Sequence, residues 1–313
     1  MRGAENCYNR RVKNETAWAV RLNGLLLPFT TPFTTADEVD TAALQSNLVR
    51  WQTMGIKGFV ALGSTGERVH LSSAESRRIV TTARAATPPE LVFIVGIGQH
   101  STRATIDEAR QAAADGADAV LVSVPHFYRN AMTAGALTQH FRTVAEASPV
   151  PLLLYHIPQN TGLGFTPQTV EDLSTHENII GLKDSSGDIL HLAETARSVP
   201  PDFYILTGHG AALYAALCTG ARGAILAVGC AVPEFALRLM CAVTEGQHEK
   251  AVALQQRLAP LAQAVTTRYG IGGLKAALEI MGYAGGPVRA PLANADEKAR
   301  AEIARLLAGL AEG

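Results

Sequence analysis

A lysine stands near the end of an otherwise apolar segment, "NIIGLKDSSGD". An ammonium group among isoleucine and leucine side chains costs stability unless it has a partner or a function. The two-residue alternation of a strand predicts that Ile180 and Leu182 face the surrounding helices. Ile179, Gly181 and Lys183 then share the opposite face, with the glycine leaving space beneath the lysine. Partial desolvation there favours the neutral amine, which can attack a carbonyl group and form a Schiff base.

A structural lysine is the competing interpretation of Lys183. Asp184 or Asp188 could pair with its ammonium group at the surface. The chain contains six lysines, and we expect Lys183 alone near the carboxyl end of a strand. Lys275, by contrast, is assigned to a polar helical context.

A tyrosine occupies the corresponding place in the preceding apolar segment, "PLLLYHI". The phenol of Tyr155 would lie at the same end of the sheet as Lys183, and it could relay a proton while a carbinolamine loses water. A core aromatic ring with a solvated hydroxyl group is the alternative.

The turn "GSTGE" (63–67) follows another apolar segment. Gly63 and Gly66 permit a tight turn whose backbone N–H groups can face an anion. Ser64 and Thr65 add hydroxyl donors, so the turn suits a carboxylate. An ordinary connection between a strand and a helix has a similar composition, and the turn alone does not decide between the two interpretations.

Short apolar segments alternate with segments of helical period from residue 24 onward. We expect eight strands, at 24–33, 57–63, 91–98, 118–124, 151–157, 178–184, 203–209 and 223–229. Parallel neighbours need helical crossovers and eight strands close a packed interior, so the pattern predicts an α/β protein with a (β/α)₈ TIM barrel. A doubly wound sheet would need a glycine-rich turn after its first strand, and "PFTTPFT" contains no glycine.

The barrel does not account for the whole chain. We expect a flexible arm at 1–20, the catalytic barrel at 21–233 and a C-terminal helical region at 234–313. The arm lacks the apolar core of a secretory signal, and the four cysteines are most simply thiols of a reducing compartment. A cytoplasmic protein is therefore expected.

Composition limits the class of partner. The 313 residues are 47% hydrophobic and 18% charged, with a net charge of −1. Basic residues are scattered and no apolar run could span a bilayer, so we expect a small-molecule substrate and neither a nucleic acid nor a membrane. The histidines show no H-E-x-x-H pattern and the cysteines no C-x-x-C pair, so no metal site is predicted.

Three of these motifs occur together in a known family. G-S-T-G-E after the second strand, Y-x-x-P after the fifth and G-x-K-D at the sixth resemble the pyruvate-dependent class I aldolases of the dihydrodipicolinate synthase and N-acetylneuraminate lyase family, over residues 24–292. The resemblance implies that Lys183 forms a Schiff base with pyruvate and that Tyr155 relays protons. Ser64 and Thr65 would bind the pyruvate carboxylate. It also implies a homotetramer, a dimer of dimers, with no metal or organic cofactor.

The same resemblance outlines the rest of the substrate pocket, which would be lined by Gly63, Ser185, Asn160, Gly208 and Ile225. Synthases that use aspartate semialdehyde carry an arginine at the position of Asn160. Sialic acid lyases place acidic side chains where this chain has "GHGAA".

Two stretches point to one branch of the family. "YHIPQNTGLGF" and residues 257–292 resemble 4-hydroxy-2-oxoglutarate aldolases, which release pyruvate and glyoxylate. That aldolase is our first expectation. A dihydrodipicolinate synthase and a 2-keto-3-deoxy sugar acid aldolase or dehydratase are the alternatives.

One position departs from the family pattern. Family members present a tyrosine from the neighbouring subunit at the second position after the proline that follows strand four, and Phe127 stands there in this chain. Tyr128 or His126 could substitute through a shifted loop, or Tyr155 and Ser64 could relay the proton with water. Two other classes stay open: a barrel that binds its ligand without turnover, and a phosphate- or metal-dependent barrel enzyme.

Overall fold

A closed barrel of eight parallel strands forms the centre of the molecule, and neighbouring strands follow one another in chain order. The computed structural model describes residues 17–311. The strands are β1 (Leu25–Pro28), β2 (Gly58–Ala61), β3 (Val92–Ile97), β4 (Ala119–Ser123), β5 (Leu152–His156), β6 (Ile179–Asp184), β7 (Tyr204–Thr207) and β8 (Gly223–Ile225). Each strand lies inside one of the eight predicted segments, so the (β/α)₈ barrel is confirmed.

Helices follow the strands and surround the barrel. They are α1 (Ala17–Leu22), α2 (Thr41–Trp51), α3 (Ser73–Ala86), α4 (Thr102–Ala114), α5 (Ala134–Ala147), α6 (Pro158–Thr161), α7 (Pro167–Ser174), α8 (Ile189–Ser198), α9 (Leu213–Cys218), α10 (Ala227–Ala231), α11 (Pro233–Thr244), α12 (His248–Gln263), α13 (Gly270–Ile280) and α14 (Glu297–Ala311). Polar side chains that accept a backbone hydrogen bond begin five of the first seven helices, α2 to α5 and α7: Asp40, Ser72, Ser101, Thr133 and Thr166.

Side chains of the strands alternate between two packed layers. The barrel interior holds an inner cluster that includes Leu26, Ile94, Leu121, Leu153 and Leu206. The residues next to them in sequence pack outward against the helices: Leu25, Leu27, Val95, Val120, Val122, Leu152, Leu154 and Ile205. Because both faces of every strand are buried, the strand segments read as nearly continuous apolar runs.

Strand β6 departs from simple alternation. Its pairing with β5 shifts by one residue near the start of the two strands. Ile179 packs in the outer layer, whereas Ile180 packs against the inner cluster. The predicted faces of these two isoleucines are therefore wrong, because a bulge changes the alternation locally. Leu182 and Lys183 lie beyond the shift and keep their predicted faces.

Helix α1 closes the amino-terminal opening of the barrel. Trp18, Ala19 and Leu22 pack against the inner cluster. The predicted arm (1–20) therefore ends inside a helix, because apolar side chains there have a core to bury against. The rest of that prediction, residues 1–16, lies outside the described residues.

The C-terminal region begins within the barrel itself. Helix α11 packs on β1 and α9, so it is the outer helix that follows the eighth strand. The boundary predicted after residue 233 falls one residue inside this helix. A π-helical turn, Ala264–Arg268, joins α12 to the segment leading into α13, and α14 packs on both helices. Across residues 17–311, no helix combines the length and apolarity needed to cross a bilayer.

The cysteines correct the expectation of four thiols. Cys218 is exposed, Cys230 is buried, and both are free, whereas Cys241 is disulfide-bonded. Cys7 lies outside the described residues. Pairing depends on which cysteines the fold brings together, so their spacing in the sequence could not predict it.

Candidate active site

Lys183 and Tyr155 lie side by side at the carboxyl ends of β6 and β5. The strand register pairs the two residues directly. Tyr155 belongs to the inner cluster, and Lys183, only 3% exposed, lies against its ring. Both residues therefore stand at the end of the barrel where enzymes of this architecture carry their catalytic groups.

Three polar groups form a chain of contacts at this end. Lys183 Nζ donates to the Tyr155 hydroxyl oxygen at 3.4 Å, and Ser64 Oγ lies 3.0 Å from the same oxygen. Nζ also lies 4.4 Å from the centre of the Tyr155 ring. Since Ser64 is exposed, the phenol links the buried amine to the mouth of the barrel and can carry a proton between them.

Lys183 has no ion-pair partner among residues 17–311. Asp184 points to the other side of β6 and pairs with His191 at 3.1 Å. Asp188 begins α8 by accepting a hydrogen bond from the backbone N–H of His191. The interpretation of Lys183 as a structural lysine paired with either aspartate is therefore wrong.

The outward faces of β5 and β6 carry a separate network around His191. Its Nδ1 donates to Asp184 Oδ2 at 3.1 Å and its Nε2 donates to the Phe165 carbonyl at 2.8 Å. Both ring nitrogens face acceptors, an arrangement that favours the imidazolium form. The hydrogen bond to Asp184 raises the pKa of His191, although burial opposes this. Burial also disfavours the Asp184 carboxylate, but hydrogen bonds from His191 and Ser186 keep the Asp184 pKa below its ordinary value.

His156, Asp184 and His191 could each offer one ligand atom to a metal ion, since these atoms lie within 4.8 Å of one another. Three of the four ring nitrogens already take part in hydrogen bonds. His156 Nδ1 accepts a hydrogen bond from the Phe165 backbone N–H at 3.1 Å, and its ring stacks on the His191 ring at 4.4 Å. Burial lowers the pKa of His156, which keeps this ring neutral. The donor set fits a hydrogen-bond network better than a metal centre.

The turn after β2, which we call the β2 loop (Gly63–Gly66), borders the same opening. It is a single 3₁₀ turn, held where the Thr31 hydroxyl donates to the Gly66 carbonyl at 2.7 Å. Thr65 is buried, and within the described chain its hydroxyl has no hydrogen-bond partner. A side chain at Gly63 would meet nothing within 4 Å. The Thr65 hydroxyl and open space therefore meet at this loop, as an anion site requires.

Three further predicted pocket residues lie around the lysine. A side chain at Gly208 would come within 2.0 Å of Ser185 Oγ and 3.0 Å of Lys183 Cε, so only glycine leaves room for both. The Gly208 N–H donates to the Asp184 carbonyl at 2.6 Å and fixes β7 against β6. Ile225 packs in the same inner cluster as Tyr155.

The structure does not bring the other predicted residues to the lysine. Asn160 is exposed in α6. Phe127 and Tyr128 are 71% and 69% exposed. Their rings contact each other, and Phe127 also contacts His100, while neither ring contacts Tyr155. A role for either aromatic residue at the lysine requires a second subunit.

A second lysine is buried, contrary to the expectation from the sequence. Lys275 in α13 is 2% exposed rather than in a polar context, and its Nζ lies 2.6 Å from Glu67 Oε1, directly after the β2 loop. Burial lowers the pKa of Lys275, and the charge of Glu67 opposes this effect. The stretch "GGLKAAL" carried the signal, because small and apolar residues on both sides of a lysine indicate a helix packed on most of its surface.

An arginine near the mouth was also missed. Arg129 Nη1 lies 2.6 Å from the position that a side chain at Gly162 would occupy. Gly162 ends α6, two residues beyond Asn160. The guanidinium of Arg129 has no carboxylate partner in the described part of the chain.

Comparisons with known proteins agree on one family. The model of the dihydrodipicolinate synthetase family matches residues 21–310. A 4-hydroxy-tetrahydrodipicolinate synthase from Nitrobacter hamburgensis is 33% identical over 273 residues, which are 87% of this chain and 91% of that protein. An uncharacterised DapA-like lyase from Halobacterium salinarum is 33% identical over 92% of this chain and 94% of that protein.

A similar solved structure is a prophage protein of the dihydrodipicolinic acid synthase family from E. coli K12, in complex with pyruvate. The TM-score is 0.86 at 28% identity, over 92% of this chain and 98% of that chain. These similarities extend over the barrel and the C-terminal helices alike.

Proposed function

Because the chain belongs to the dihydrodipicolinate synthetase family, we propose that it forms or cleaves a carbon–carbon bond between pyruvate and an aldehyde. The chain is a lyase of the class I aldolase type, which works through a Schiff base on a lysine. We assign that lysine to Lys183, with no metal or organic cofactor taking part.

The contact chain from Ser64 through Tyr155 to Lys183 carries this proposal. The amine attacks the ketone carbon of pyruvate and forms a carbinolamine. Tyr155, 3.4 Å from Nζ, gives a proton to the hydroxyl group that leaves as water. Ser64, 3.0 Å from the phenol, returns a proton from the mouth of the barrel. A methyl proton of the imine then passes through the same two hydroxyl groups to water at the mouth, which gives the enamine that attacks the aldehyde.

The β2 loop provides the site for the pyruvate carboxylate in this proposal. The free hydroxyl of buried Thr65 and the exposed hydroxyl of Ser64 are its donors. Gly63 leaves open space beside them. A carboxylate held there brings the ketone carbon of pyruvate towards Lys183, because Ser64 is joined to the lysine through a single phenol.

The second substrate is an aldehyde that carries its own carboxylate. Arg129 supports this, because its guanidinium lies over the turn at Gly162 without a carboxylate partner among residues 17–311. Arginine suits a carboxylate because its paired N–H groups match the two oxygens. The free positive charge would hold the far end of the aldehyde at the mouth.

Two aldehydes fit this description. The named relatives, at 33% identity, are 4-hydroxy-tetrahydrodipicolinate synthases, and they favour condensation with aspartate semialdehyde. Asn160 favours the other candidate, cleavage of 4-hydroxy-2-oxoglutarate to pyruvate and glyoxylate, because the synthases carry an arginine at its position. The first candidate has the broader support, since it rests on whole-chain similarity.

Phe127 and Tyr128 form an exposed aromatic pair on the loop after β4. We assign this pair to a subunit interface of a homotetramer, in which the Tyr128 hydroxyl would reach a neighbouring active site. Exposed aromatic rings of this size are typical of interfaces. Mass measurement of the native protein and of Phe127→Ser tests the assignment, and a monomer at micromolar concentration would contradict it.

The proposed reaction is tested by following pyruvate. Purified protein is incubated with pyruvate and either aspartate semialdehyde or glyoxylate, and the remaining pyruvate is measured. We expect consumption with one of the two aldehydes, none in Lys183→Ala, and wild-type consumption in Lys250→Ala, which changes an exposed lysine of α12.

The same assay separates the alternatives. Arg129→Gln is expected to raise the KM for the aldehyde by about tenfold and to leave the KM for pyruvate unchanged, since it removes one charged hydrogen bond at the aldehyde's end. If pyruvate binds but is consumed with neither aldehyde, the result would contradict the aldolase proposal and favour a binding protein.

A further inference from the structure

Two residues with strained backbones bracket the β2 loop. Leu62 has φ +54° and Glu67 has φ +56°, and neither is glycine. A left-handed conformation costs a non-glycine residue of the order of 1 kcal/mol or more. Such residues persist only where surrounding contacts over-determine them. The contacts that hold Glu67 therefore decide the shape of the loop.

The C-terminal region supplies those contacts. The side chain of Glu67 is fully buried, and Lys275 Nζ from α13 lies 2.6 Å from its Oε1. This contact is an ion pair without the alignment of a linear hydrogen bond. The backbone N–H of Arg289 donates to Glu67 Oε2 at 2.9 Å, and His70 Nδ1 lies 3.6 Å from the same oxygen.

Lys275 is itself fixed on two further sides. Its Nζ donates to the Pro287 carbonyl at 2.7 Å and lies 4.6 Å from the centre of the Phe33 ring. The ammonium group is thus held by α13, by the segment that follows it and by the loop after β1. A side chain held this firmly can act as a fixed point for its partner, Glu67.

The backbone of Glu67 passes this constraint to the β2 loop. Its N–H donates to the Ser64 carbonyl at 3.2 Å and closes the 3₁₀ turn. If Glu67 left its left-handed conformation, this hydrogen bond would break and the hydroxyl groups of Ser64 and Thr65 would move. The ion pair and the carboxylate donors are therefore parts of one rigid unit.

Stability alone does not explain a buried ion pair. Two buried charges lose their hydration, and replacing such a pair by apolar side chains of similar size is often neutral or stabilising. The pair is better explained by the geometry that it enforces on a strained turn.

We propose that Glu67 and Lys275 are positioning residues that hold the β2 loop in the shape that binds the pyruvate carboxylate. The C-terminal helical region then sets the affinity of the barrel for pyruvate. This inference rests on the proposed function of the loop as the pyruvate site. Neither residue touches the substrate, and each acts through the backbone of Glu67.

The test measures how much pyruvate is needed to form the imine. Wild-type protein, Lys275→Met, Glu67→Gln and the double variant Glu67→Gln/Lys275→Met are titrated with pyruvate, reduced with borohydride and analysed by intact mass. The double variant is the decisive one, because it removes both buried charges and leaves neither unpaired. For the double variant we expect a roughly tenfold increase in the half-saturating pyruvate concentration, with full modification at saturation. Misplaced hydroxyl donors in the β2 loop weaken pyruvate binding more than they slow imine formation.

A matched control lies at the opposite end of the barrel. Arg21 pairs with Asp118 at 2.7 Å beneath the strands, so Arg21→Met breaks an ion pair without touching the β2 loop. This variant is expected to saturate at the wild-type pyruvate concentration. Lys275→Arg, which keeps the positive charge, is expected to saturate closer to wild type than Lys275→Met.

The outcomes separate this inference from the proposed function. A double variant that is folded, by its unfolding transition, and saturates at the wild-type pyruvate concentration would overturn the positioning role while leaving the aldolase intact. Equal shifts in the double variant and in Arg21→Met would also overturn it, because a general loss of stability would then be the cause. The absence of any adduct in the wild-type protein would overturn both proposals.

Discussion

Lys183 and Lys275 are both almost completely buried, yet their surroundings differ. Lys183 lies against the Tyr155 phenol at the carboxyl end of the barrel and has no ion-pair partner within residues 17–311. Lys275 lies among packed helices and is paired with Glu67 at 2.6 Å. One amine is next to a proton donor, and the other is next to a fixed negative charge.

The proposed roles of the two lysines imply that burial alone does not make a lysine reactive. Desolvation disfavours the ammonium form of any buried lysine. At Lys275 the carboxylate of Glu67 and the Pro287 carbonyl hold that form in place, so the amine is not available as a nucleophile. At Lys183 the hydrogen-bond partner within residues 17–311 is a hydroxyl group that can both give and accept a proton.

Replacing each lysine in turn is the strongest test of whether the two residues differ in role. Lys183→Ala is expected to lower kcat/KM for the condensation by at least about 1000-fold, because it removes the amine on which the proposed covalent intermediate forms. Lys275→Met is expected to keep kcat at saturating pyruvate within about threefold, since it acts on binding. Steady-state kinetics measure both values, and similar losses of kcat in the two variants would show that the lysines do not differ in role.

Stability is expected to change in the opposite order. Lys275→Met leaves the Glu67 carboxylate buried without a countercharge, which lowers the free energy of unfolding by about 3 to 5 kcal/mol. Lys183→Met leaves no buried charge without a partner, and it is expected to change the free energy of unfolding by less than about 1 kcal/mol. Urea unfolding at pH 7.5 without pyruvate gives both values. Equal destabilisation would contradict the claim that only Lys275 has a charged partner.

The hydroxyl group next to Lys183 can be tested as well. Tyr155→Phe removes the hydroxyl group next to Lys183 and is expected to lower kcat by roughly 100-fold, the usual size of an acid–base contribution. The imine should still form on long incubation, because the amine is unchanged. Phe at this position preserves the packing of the inner cluster, so the melting temperature serves as the control. A kcat within threefold of wild type would exclude the phenol as the proton relay.

The pair of His191 and Asp184, on the other side of β6 from Lys183, is expected to have the smallest effect, which is on the free energy of unfolding. His191 lies between Asp184 and the Phe165 carbonyl, and its pKa is raised by the hydrogen bond to Asp184. A raised pKa gives stability that is complete below about pH 6.5 and is lost as the pH rises through the folded-state value. The wild-type protein should therefore exceed His191→Gln in unfolding free energy by more at pH 6 than at pH 9.

This difference between the two pH values is expected to be of the order of 1 kcal/mol. Asp184 does not reverse it, because the pKa of its carboxyl group is lowered and it is ionised at both values. Urea unfolding at the two pH values measures the difference. An advantage for the wild-type protein that grows towards pH 9 would mean that His191 is neutral in the folded state.

The contrast between the lysines also explains what the sequence could predict. Lys183, Tyr155 and the β2 loop were found because strand ends of a closed barrel converge, so position along each strand gave position in space. The eight strands were recognisable because both of their faces are buried. The register shift in β6 was not, since it depends on pairing with β5 and not on the composition of either strand.

Lys275 was misassigned for a physical reason. Its partner Glu67 is far away in sequence, and the apolar residues around Lys275 indicate a packed helix without indicating which segment covers it. The burial of α13 arises from packing between the C-terminal region and the barrel. The contact between Arg129 and Gly162 could not be predicted for the same reason, because it joins two loops that no periodic pattern in the sequence connects.

The most direct test of this account asks which lysine pyruvate modifies. Wild-type protein is treated with pyruvate and borohydride, digested, and the modified peptide is identified by mass spectrometry. The account predicts a single reduced adduct on Lys183, its loss in Lys183→Ala and its persistence in Lys275→Met at saturating pyruvate. An adduct on Lys275, or no adduct on Lys183 at saturating pyruvate, would contradict the account.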